Sequence, residues 1–248
     1  FLVVENRSKA KIILQKHEVQ IEKILVYNDK SNQRDRNKII NLLKCQLSGG
    51  IMSEAGTPLI SDPGYKLIKE LIRLNVPIVP LPGATSVISS LVASGLPTNS
   101  FKFVGFFPRI KKDAKSLCEN INIFNGTTIM FESPKRLLQT LCLIDQEIGS
   151  SAEVCVAKEI TKIHENFFRG TPKELINLLS NNKNLIKGEF VILIRTLDID
   201  ESYVLADKIY NHISSKITLK ESAKIVSEIT GINRNKIYKR FLSFSKNS

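Results

Sequence analysis

Short apolar runs alternate with amphipathic segments along the first part of the chain. The strand-like runs are "FLVV", "KILVYN" and "GGIM". The segments with apolar residues at helical spacing are "SKAKIILQKH", "RDRNKIINLLKCQL" and "YKLIKELIRLN". The run "PIVPLPG" leads into a helix of small residues, "SVISSLVASG", and so predicts a further strand-to-helix junction. This alternation predicts an α/β fold with a mostly parallel sheet.

A second series of the same kind begins at "FKFVGFF". Its further predicted strands are "TTIMFES", "EVCVAKEIT", "ENFFRG" and "KGEFVILIRT". A basic loop, "RIKKDAKS", opens one predicted helix. Another, "SPKRLLQTLCLIDQEIG", is predicted to begin with Ser133 as its N-cap and Pro134 in its first turn. Thr171 and Glu174 form a capping box for the helix "KELINLL".

The chain changes character near Ile199, where the alternation of strands and helices stops. The segment "TLKESAKIVSEITGINRNKIYKRFL" has the pattern of a helix-turn-helix. Thr218 and Glu221 form a capping box, Gly231 suits the turn, and Asn233 is placed to cap the last helix. We therefore predict three parts: α/β domains over residues 1–97 and 98–198, and a small helical piece over residues 199–248.

Composition describes a chain that folds in water. Its 248 residues suffice for one large domain or two ordinary ones, and 42% are hydrophobic against 24% charged. It contains no apolar run long enough for a transmembrane helix. The four scattered cysteines predict neither disulfides nor a zinc site, and they favour thiols in a reducing cytoplasm. The three histidines are isolated, so neither a Ser-His-Asp set nor a metal site is predicted.

Net charge is the feature of the composition that bears on function. The formal charge of +12 favours a polyanionic partner such as nucleic acid. The same excess of lysine also arises from AT-biased coding, in which case the charge is incidental. The candidate RNA-binding residues lie in the basic loop and on the last helix: Arg109, Lys111, Lys112, Lys236, Lys239 and Arg240. For the last helix, a solvated face is the competing interpretation.

The stretch "SEAGTPLISDPGY" joins a predicted strand to a predicted helix and is rich in turn residues. Glycines at the end of a parallel strand allow a ligand to approach the backbone closely, and a helix start offers free N–H groups. The stretch matches neither a dinucleotide fingerprint nor a P-loop. A crossover loop with only a structural role is the alternative.

Four further junctions place polar groups at strand ends or helix starts. "PLPGATS" presents Thr85 and Ser86, and "FESPKR" presents Glu132 beside a helix start. "AKEITK" supplies Lys158 and Glu159, and "KGE" supplies Lys187 and a glycine.

These motifs, in this order and together with "FKFVGFFP" and "RGTP", resemble the ribosomal RNA small subunit methyltransferase I group of the tetrapyrrole methylase superfamily. The resemblance extends from about Leu2 to Phe241. It implies two α/β domains with S-adenosylmethionine bound in the cleft between them, and a homodimer. It also implies 2′-O-methylation of a cytidine ribose in the decoding region of 16S ribosomal RNA, as part of the small subunit.

The resemblance implies roles for particular residues. Those expected at the cofactor are Ala55, Gly56, Thr57, Ile60, Ser86, Val87, Met130, Phe131, Ala157 and Gly188. Because a ribose hydroxyl reacts poorly until it is deprotonated, an acceptor or a nearby cation assists the transfer. The candidates for this catalytic role are Glu5, Glu132, Lys158, Glu159 and Lys187, with Arg136 as a further cation. Each would serve equally well in an ion pair of the cleft wall.

The sequence departs from the family pattern at three places. Glu54 stands where the family has aspartate, and "ENRS" stands where it has Glu-Asp-Thr-Arg. The opening strand and Gly-Asn-Leu loop of the family have no counterpart, so we expect weakened cofactor binding. Two alternatives remain open: a precorrin-type tetrapyrrole methyltransferase, and an inactive RNA-binding protein.

Overall fold

The computed structural model describes residues 1–196 and 201–244. The chain divides into two compact units, Phe1–Ser89 and Ser90–Ser248. The predicted division into residues 1–97, 98–198 and 199–248 stays a prediction. Its second boundary, with the predicted change at Ile199, lies outside the described residues.

The first unit contains a small parallel sheet, as the alternation predicts. In chain order its elements are β1 (Leu2–Val4), α1 (Arg7–Lys16), β2 (Ile24–Val26), α2 (Gln33–Lys44), β3 (Gly50–Met52) and α3 (Tyr65–Arg73). The strand order is β2-β1-β3, with both pairs parallel. Val3, Tyr27 and the buried leucines of α3 form its core. Helix α4 (Ser86–Ser94) follows and spans the division between the units.

The strand predicted at "PIVPLPG" is wrong, because residues 76–85 belong to no helix or strand. Three prolines in this run lack the N–H that a strand must donate to its neighbours. Val79 and Leu81 are also 74% and 84% exposed. The segment is therefore an open connection into α4.

The second unit contains a larger, mixed sheet. Its elements are β4 (Phe101–Phe106), α5 (Lys111–Asn122), β5 (Thr127–Glu132), α6 (Leu137–Glu147), β6 (Ala152–Lys158), β7 (Asn166–Gly170), α7 (Pro172–Asn181) and β8 (Phe190–Thr196), with short 3-10 turns at Gly149–Ser151 and Lys183–Leu185. The strand order is β4-β5-β8-β6-β7. Residues of β5, β6 and β8 form one core with residues of α5, α6 and α7.

The predicted "mostly parallel" arrangement is wrong for this second sheet. Only β4 and β5 are parallel, while β8 is antiparallel to both neighbours and β6 is antiparallel to β7. The connection between β6 and β7, residues 159–165, is too short for the crossover that parallel neighbours need. The chain therefore turns straight back.

Helix α6 begins later than predicted. Its N-cap is Arg136, not Ser133, and residues 133–136 form a turn in which the Leu137 N–H donates to the Ser133 carbonyl. The Ser133 N–H donates to Glu132 at 2.7 Å. The carboxylate of Glu132 thus holds Ser133 away from a capping position.

The C-terminal helices α8 (Glu201–Ile213), α9 (Leu219–Thr230) and α10 (Arg234–Phe244) share a separate small core. Within it the rings of Tyr210 and Phe241 stack with centroids 3.9 Å apart. The capping box at Thr218 and the left-handed turn at Gly231 are confirmed. So is the cap by Asn233, whose side chain accepts from the Asn235 N–H at 2.9 Å.

Two absences concern only the part of the chain that the structure describes. None of its helices has both the length and the apolar character needed to span a lipid bilayer. No group of three metal-ligating side chains occurs in it. All four cysteines are free thiols, and burial raises the pKa of Cys118 and of Cys155 to about 11.

Candidate active site

The elbow after β3 has an unusual backbone. Leu59 and Ser61 have φ angles of +74° and +63°, a region that residues with a Cβ seldom occupy. Gly56 and Gly64 also have positive φ angles. Such conformations cost free energy and gather at ligand-binding segments. These angles favour a ligand-binding role for the elbow over a purely structural crossover loop.

One hydrogen bond joins the elbow to the segment before α4, and another lies within the elbow. The Thr57 hydroxyl donates to the Ala84 carbonyl at 3.1 Å, and the Ser53 hydroxyl donates to the Gly56 carbonyl at 3.0 Å. Two motifs predicted from separate stretches are thus brought together in the first unit. Ala55, Thr57 and Ile60 are exposed beside this contact. At the start of α4, Ser86 is half-buried and Val87 is buried.

Carboxylates gather at the same end of the first sheet. Glu5 follows β1 and lines a cavity with Asp62, Ser53 and Tyr27. Burial raises the pKa of Glu5, and the charges of Glu54 and Asp62 raise it further. Burial likewise raises the pKa of Asp62. A cationic ligand at this end of the sheet would relieve the repulsion between these groups.

Glu132 lies buried at the end of β5 with several partners. It accepts hydrogen bonds from Ser133 N–H and from the Thr140 hydroxyl, the latter at 2.6 Å, and pairs with Arg136 at 3.1 Å. Arg136 also donates to the Phe107 carbonyl at 2.7 Å. This network binds the end of β5 to α6 and to the segment after β4.

The hydrophobic cofactor candidates of the second unit differ in exposure. Met130 and Ala157 are fully buried, backbone and side chain alike. Phe131 is half-buried and packs edge-on against Phe103 and Phe106. Phe131 and Ala157 both pair with Val191 of β8, so they lie on opposite sides of that strand.

Glu159 and Gly188, predicted from separate motifs, are in direct contact. A Cβ at Gly188 would lie 2.5 Å from Cδ and Oε1 of Glu159, and Gly188 has a φ of +94°. The Glu189 N–H donates to Glu159 at 2.7 Å, and Lys162 pairs with Glu159 and Glu189, both at 2.9 Å. These bonds lower the pKa of Glu159, with the Glu189 N–H as the main cause.

Lys162, which pairs with Glu159, was not among the candidate site residues predicted from the sequence. The only local signal is its position three residues after Glu159, a spacing that also occurs in unrelated turns. Its second partner, Glu189, is 27 residues away in the chain. The positive φ angles of Glu159 and Thr161 mark this loop as strained, as in the elbow.

Two candidate lysines have different environments. Lys158 ends β6 with its side chain buried, and no carboxylate in residues 1–196 or 201–244 lies within ion-pair distance of it. Lys187 is exposed. Of the two, Lys158 is the more firmly positioned.

The predicted RNA-binding residues are exposed, with one change of role. Arg109, Lys111 and Lys112 surround the start of α5, and Lys236 and Lys239 project from α10. Arg240 instead forms two hydrogen bonds to the Asp207 carboxylate at 2.7 and 2.6 Å, with its guanidinium over the Tyr203 ring. It joins α10 to α8.

Comparison with known proteins places this chain in a family. The family model "Tetrapyrrole (Corrin/Porphyrin) Methylases" matches residues 2–176. "Ribosomal RNA small subunit methyltransferase I" of Rickettsia prowazekii is 40% identical over 193 residues, which are 78% of this chain and 68% of that protein. The chain belongs to this methyltransferase I group of the tetrapyrrole methylases.

A second member of the group extends the match along almost the whole chain. "Ribosomal RNA small subunit methyltransferase I" of Buchnera aphidicola is 33% identical over 240 residues, which are 96% of this chain and 85% of that protein. The similarity therefore continues beyond residue 176, where the family model ends, into the C-terminal helices.

Solved structures confirm the tetrapyrrole methylase fold. A cobalt precorrin-4 methyltransferase has a TM-score of 0.54 at 16% identity, covering 78% of this chain and 82% of that one. Uroporphyrin-III C-methyl transferase from Thermus thermophilus, complexed with S-adenyl homocysteine, has a TM-score of 0.50 at 14% identity. That likeness covers 82% of this chain and 87% of the Thermus chain. At these identities the likeness concerns the fold alone.

Proposed function

We propose that this protein transfers a methyl group from S-adenosylmethionine to ribosomal RNA, at the ribose 2′-hydroxyl of a cytidine in the decoding region of 16S RNA. The observation that carries the proposal is the match to methyltransferase I proteins over 96% of the chain. A tetrapyrrole methyltransferase is the weaker alternative, because small tetrapyrroles give no reason for a basic helical appendage. The proposed setting is the cytoplasm, with the small ribosomal subunit as substrate and a homodimer as the active form.

The residues of the first unit fit a cationic cofactor. When bound, S-adenosylmethionine supplies a methyl group on a positively charged sulfur. The carboxylates of Glu5 and Asp62 would stabilise positive charge at this end of the sheet, while Glu54 nearby is already paired with Lys9. The exposed elbow backbone around Gly56 and Thr57 would hold polar groups of the same ligand. Ala55, Ile60, Ser86 and Val87 complete this proposed wall.

The residues of the second unit fit a role in alignment. Gly188 leaves space that the side chain of Glu159 occupies, and Lys162 fixes that side chain. We propose that Met130, Phe131, Ala157 and Gly188 lie beside the cofactor, with Phe131 and Gly188 the more accessible of the four.

Activation of the ribose hydroxyl needs an acceptor or a nearby cation. Lys158 is buried without an ion-pair partner among the described residues, so its ammonium group would lower the energy of a developing alkoxide. Glu132 has hydrogen-bonding and charged partners in its own unit and is proposed to position Arg136. Glu5, Glu159 and Lys187 remain candidates.

The proposal is tested with labelled S-adenosylmethionine and small ribosomal subunits from cells that lack this methyl group. We expect label in the ribose of one cytidine, located by nuclease digestion and mass spectrometry. Folded protein that binds the cofactor yet leaves the ribose unlabelled would overturn the proposal. A porphyrinoid offered in parallel tests the tetrapyrrole alternative. Calorimetric titration with S-adenosylmethionine tests the alternative of an inactive RNA-binding protein, since saturable binding contradicts an inert site.

A further inference from the structure

A groove of about 510 Å³ crosses the surface of the second unit, next to the Glu132–Arg136 network at the end of β5. One wall is the segment from Phe107 to Lys111, which joins β4 to α5. The other wall is α6, which contributes Gln139, Leu143 and Gln146. Both walls belong to one unit, so the groove is a property of that unit alone.

The groove carries an excess of positive charge. Arg109 and Lys111 are exposed, and neither side chain makes an ion pair or hydrogen bond within residues 1–196 and 201–244. None of the described residues that line the groove is an aspartate or glutamate. Arg136 also lines it, but Glu132 balances its charge. The net charge offered to a ligand is therefore that of Arg109 and Lys111.

The start of α5 adds to this positive potential. Its N-cap, Ile110, has no side-chain acceptor, so no side chain caps the first-turn N–H groups. The helix dipole adds partial positive charge at this end. Asp113, in the same turn, does not line the groove.

The opposite wall offers neutral hydrogen-bonding groups. Gln139 and Gln146 are exposed seven residues apart on α6, so they lie on one helix face about 10 Å from each other. Neither amide has a hydrogen-bond partner among the described residues. At the far end, Lys115 and Glu147 form an ion pair at 3.0 Å between α5 and α6.

We infer that this groove binds the sugar–phosphate backbone of single-stranded RNA. Arg109, Lys111 and the start of α5 hold phosphates, and the two glutamines hydrogen-bond to ribose hydroxyls or base edges. The inference rests on the proposed function, because it assigns the substrate strand beside the target nucleotide to this groove.

The test compares two double variants that remove the same charge from the same unit. Arg109→Ala with Lys111→Ala changes the groove, while Lys173→Ala with Lys183→Ala removes two exposed lysines elsewhere. Affinity for a labelled single-stranded RNA of the decoding region is measured by fluorescence anisotropy at several salt concentrations. The slope of log K against log salt is negative, and each phosphate contact contributes about 0.7 to its magnitude for a single strand. Because the groove variant removes two contacts, we expect the magnitude of its slope to fall by about 1.4. The control slope should stay near that of the wild type.

A second variant tests the neutral wall. Gln139→Ala should weaken RNA binding without changing the salt slope, because an amide releases no counterions. An unchanged slope in the folded groove variant would overturn the inference. So would equal losses in both double variants, which would indicate unspecific charge attraction.

The proposed function and this inference fail in different ways. In one outcome the wild-type protein methylates ribosomal RNA, and the groove variant keeps the wild-type salt slope and activity. That result contradicts RNA binding by the groove but leaves the proposed function intact. Wild-type protein that transfers no methyl group, but whose RNA affinity depends on Arg109 and Lys111, supports the groove and contradicts the methyltransferase. Cofactor affinity, measured by calorimetry, should be equal in all variants.

Discussion

Single residues show how close contacts at the candidate site restrict substitution. Gly188 combines a positive φ with contact to the Glu159 carboxylate, so two separate effects oppose any side chain there. The sequence motif "KGE" indicated the glycine, but its neighbour Glu159 is 29 residues earlier in the chain. The need for glycine is therefore visible only in the folded chain.

Gly188→Ala should destabilise the protein and weaken S-adenosylmethionine binding. A new Cβ would lie 2.5 Å from Glu159, and the positive φ adds roughly 1 kcal/mol or more of backbone strain. Gly95→Ala is the matched control, since Gly95 has a φ of +83° and nothing within 4 Å of the added Cβ. Urea unfolding and calorimetry measure both effects. Equal losses in the two variants would show that contact with Glu159 is unimportant.

At the scale of elements, two similar sequences start two helices differently. "TPKE" caps α7 through the reciprocal bonds of Thr171 and Glu174, whereas "SPKR" does not cap α6. The two sequences differ in their fourth residue. Glu174 accepts a hydrogen bond from the backbone N–H of Thr171, whereas Arg136 forms an ion pair with Glu132. An N-cap prediction is therefore sound where both partners of the box are present.

Thr171→Ala should lower the free energy of unfolding by about 1 kcal/mol, the usual cost of losing a helix cap. Ser133→Ala should cost less, because the Ser133 hydroxyl caps no helix and lies 3.4 Å from Glu132. Both values come from urea unfolding at one pH. A Ser133→Ala variant as unstable as Thr171→Ala would contradict this account of how α6 begins.

At the scale of the molecule, the charge of +12 is distributed over distinct surfaces. Some cations are used internally, as Arg240 is by Asp207, and these add little to attraction of RNA. Others, such as Lys236 and Lys239 on α10, are exposed on the helix-turn-helix-like part. The overall charge therefore overstates the number of RNA contacts.

Replacing Lys236 and Lys239 with alanine should reduce the magnitude of the slope of log K against log salt, for binding to small ribosomal subunits, by up to about 1.4. Lys11→Ala with Lys16→Ala on α1 removes the same charge from another exposed helix and serves as the control. Filter binding at several salt concentrations measures the slope. If the α10 variant keeps the wild-type slope, these lysines form a solvated face.

The sequence by itself determined the order of elements apart from the strand predicted at "PIVPLPG", the parallel sheet of the first unit, the boxes at Thr171 and Thr218, and the family. These features depend on residues a few positions apart, or on motifs that keep their order. Only the tertiary structure decided the antiparallel position of β8, the Glu132–Arg136 network, the contact of Glu159 with Gly188, and the pairing of Arg240 with Asp207. Most of these features depend on strand pairing and helix packing between residues that are about 30 or more positions apart in the chain. The Glu132–Arg136 pair is closer in the chain, but it depends on how α6 packs on the sheet. Local propensity carries no information about such contacts, because many folds satisfy the same pattern of apolar and polar positions.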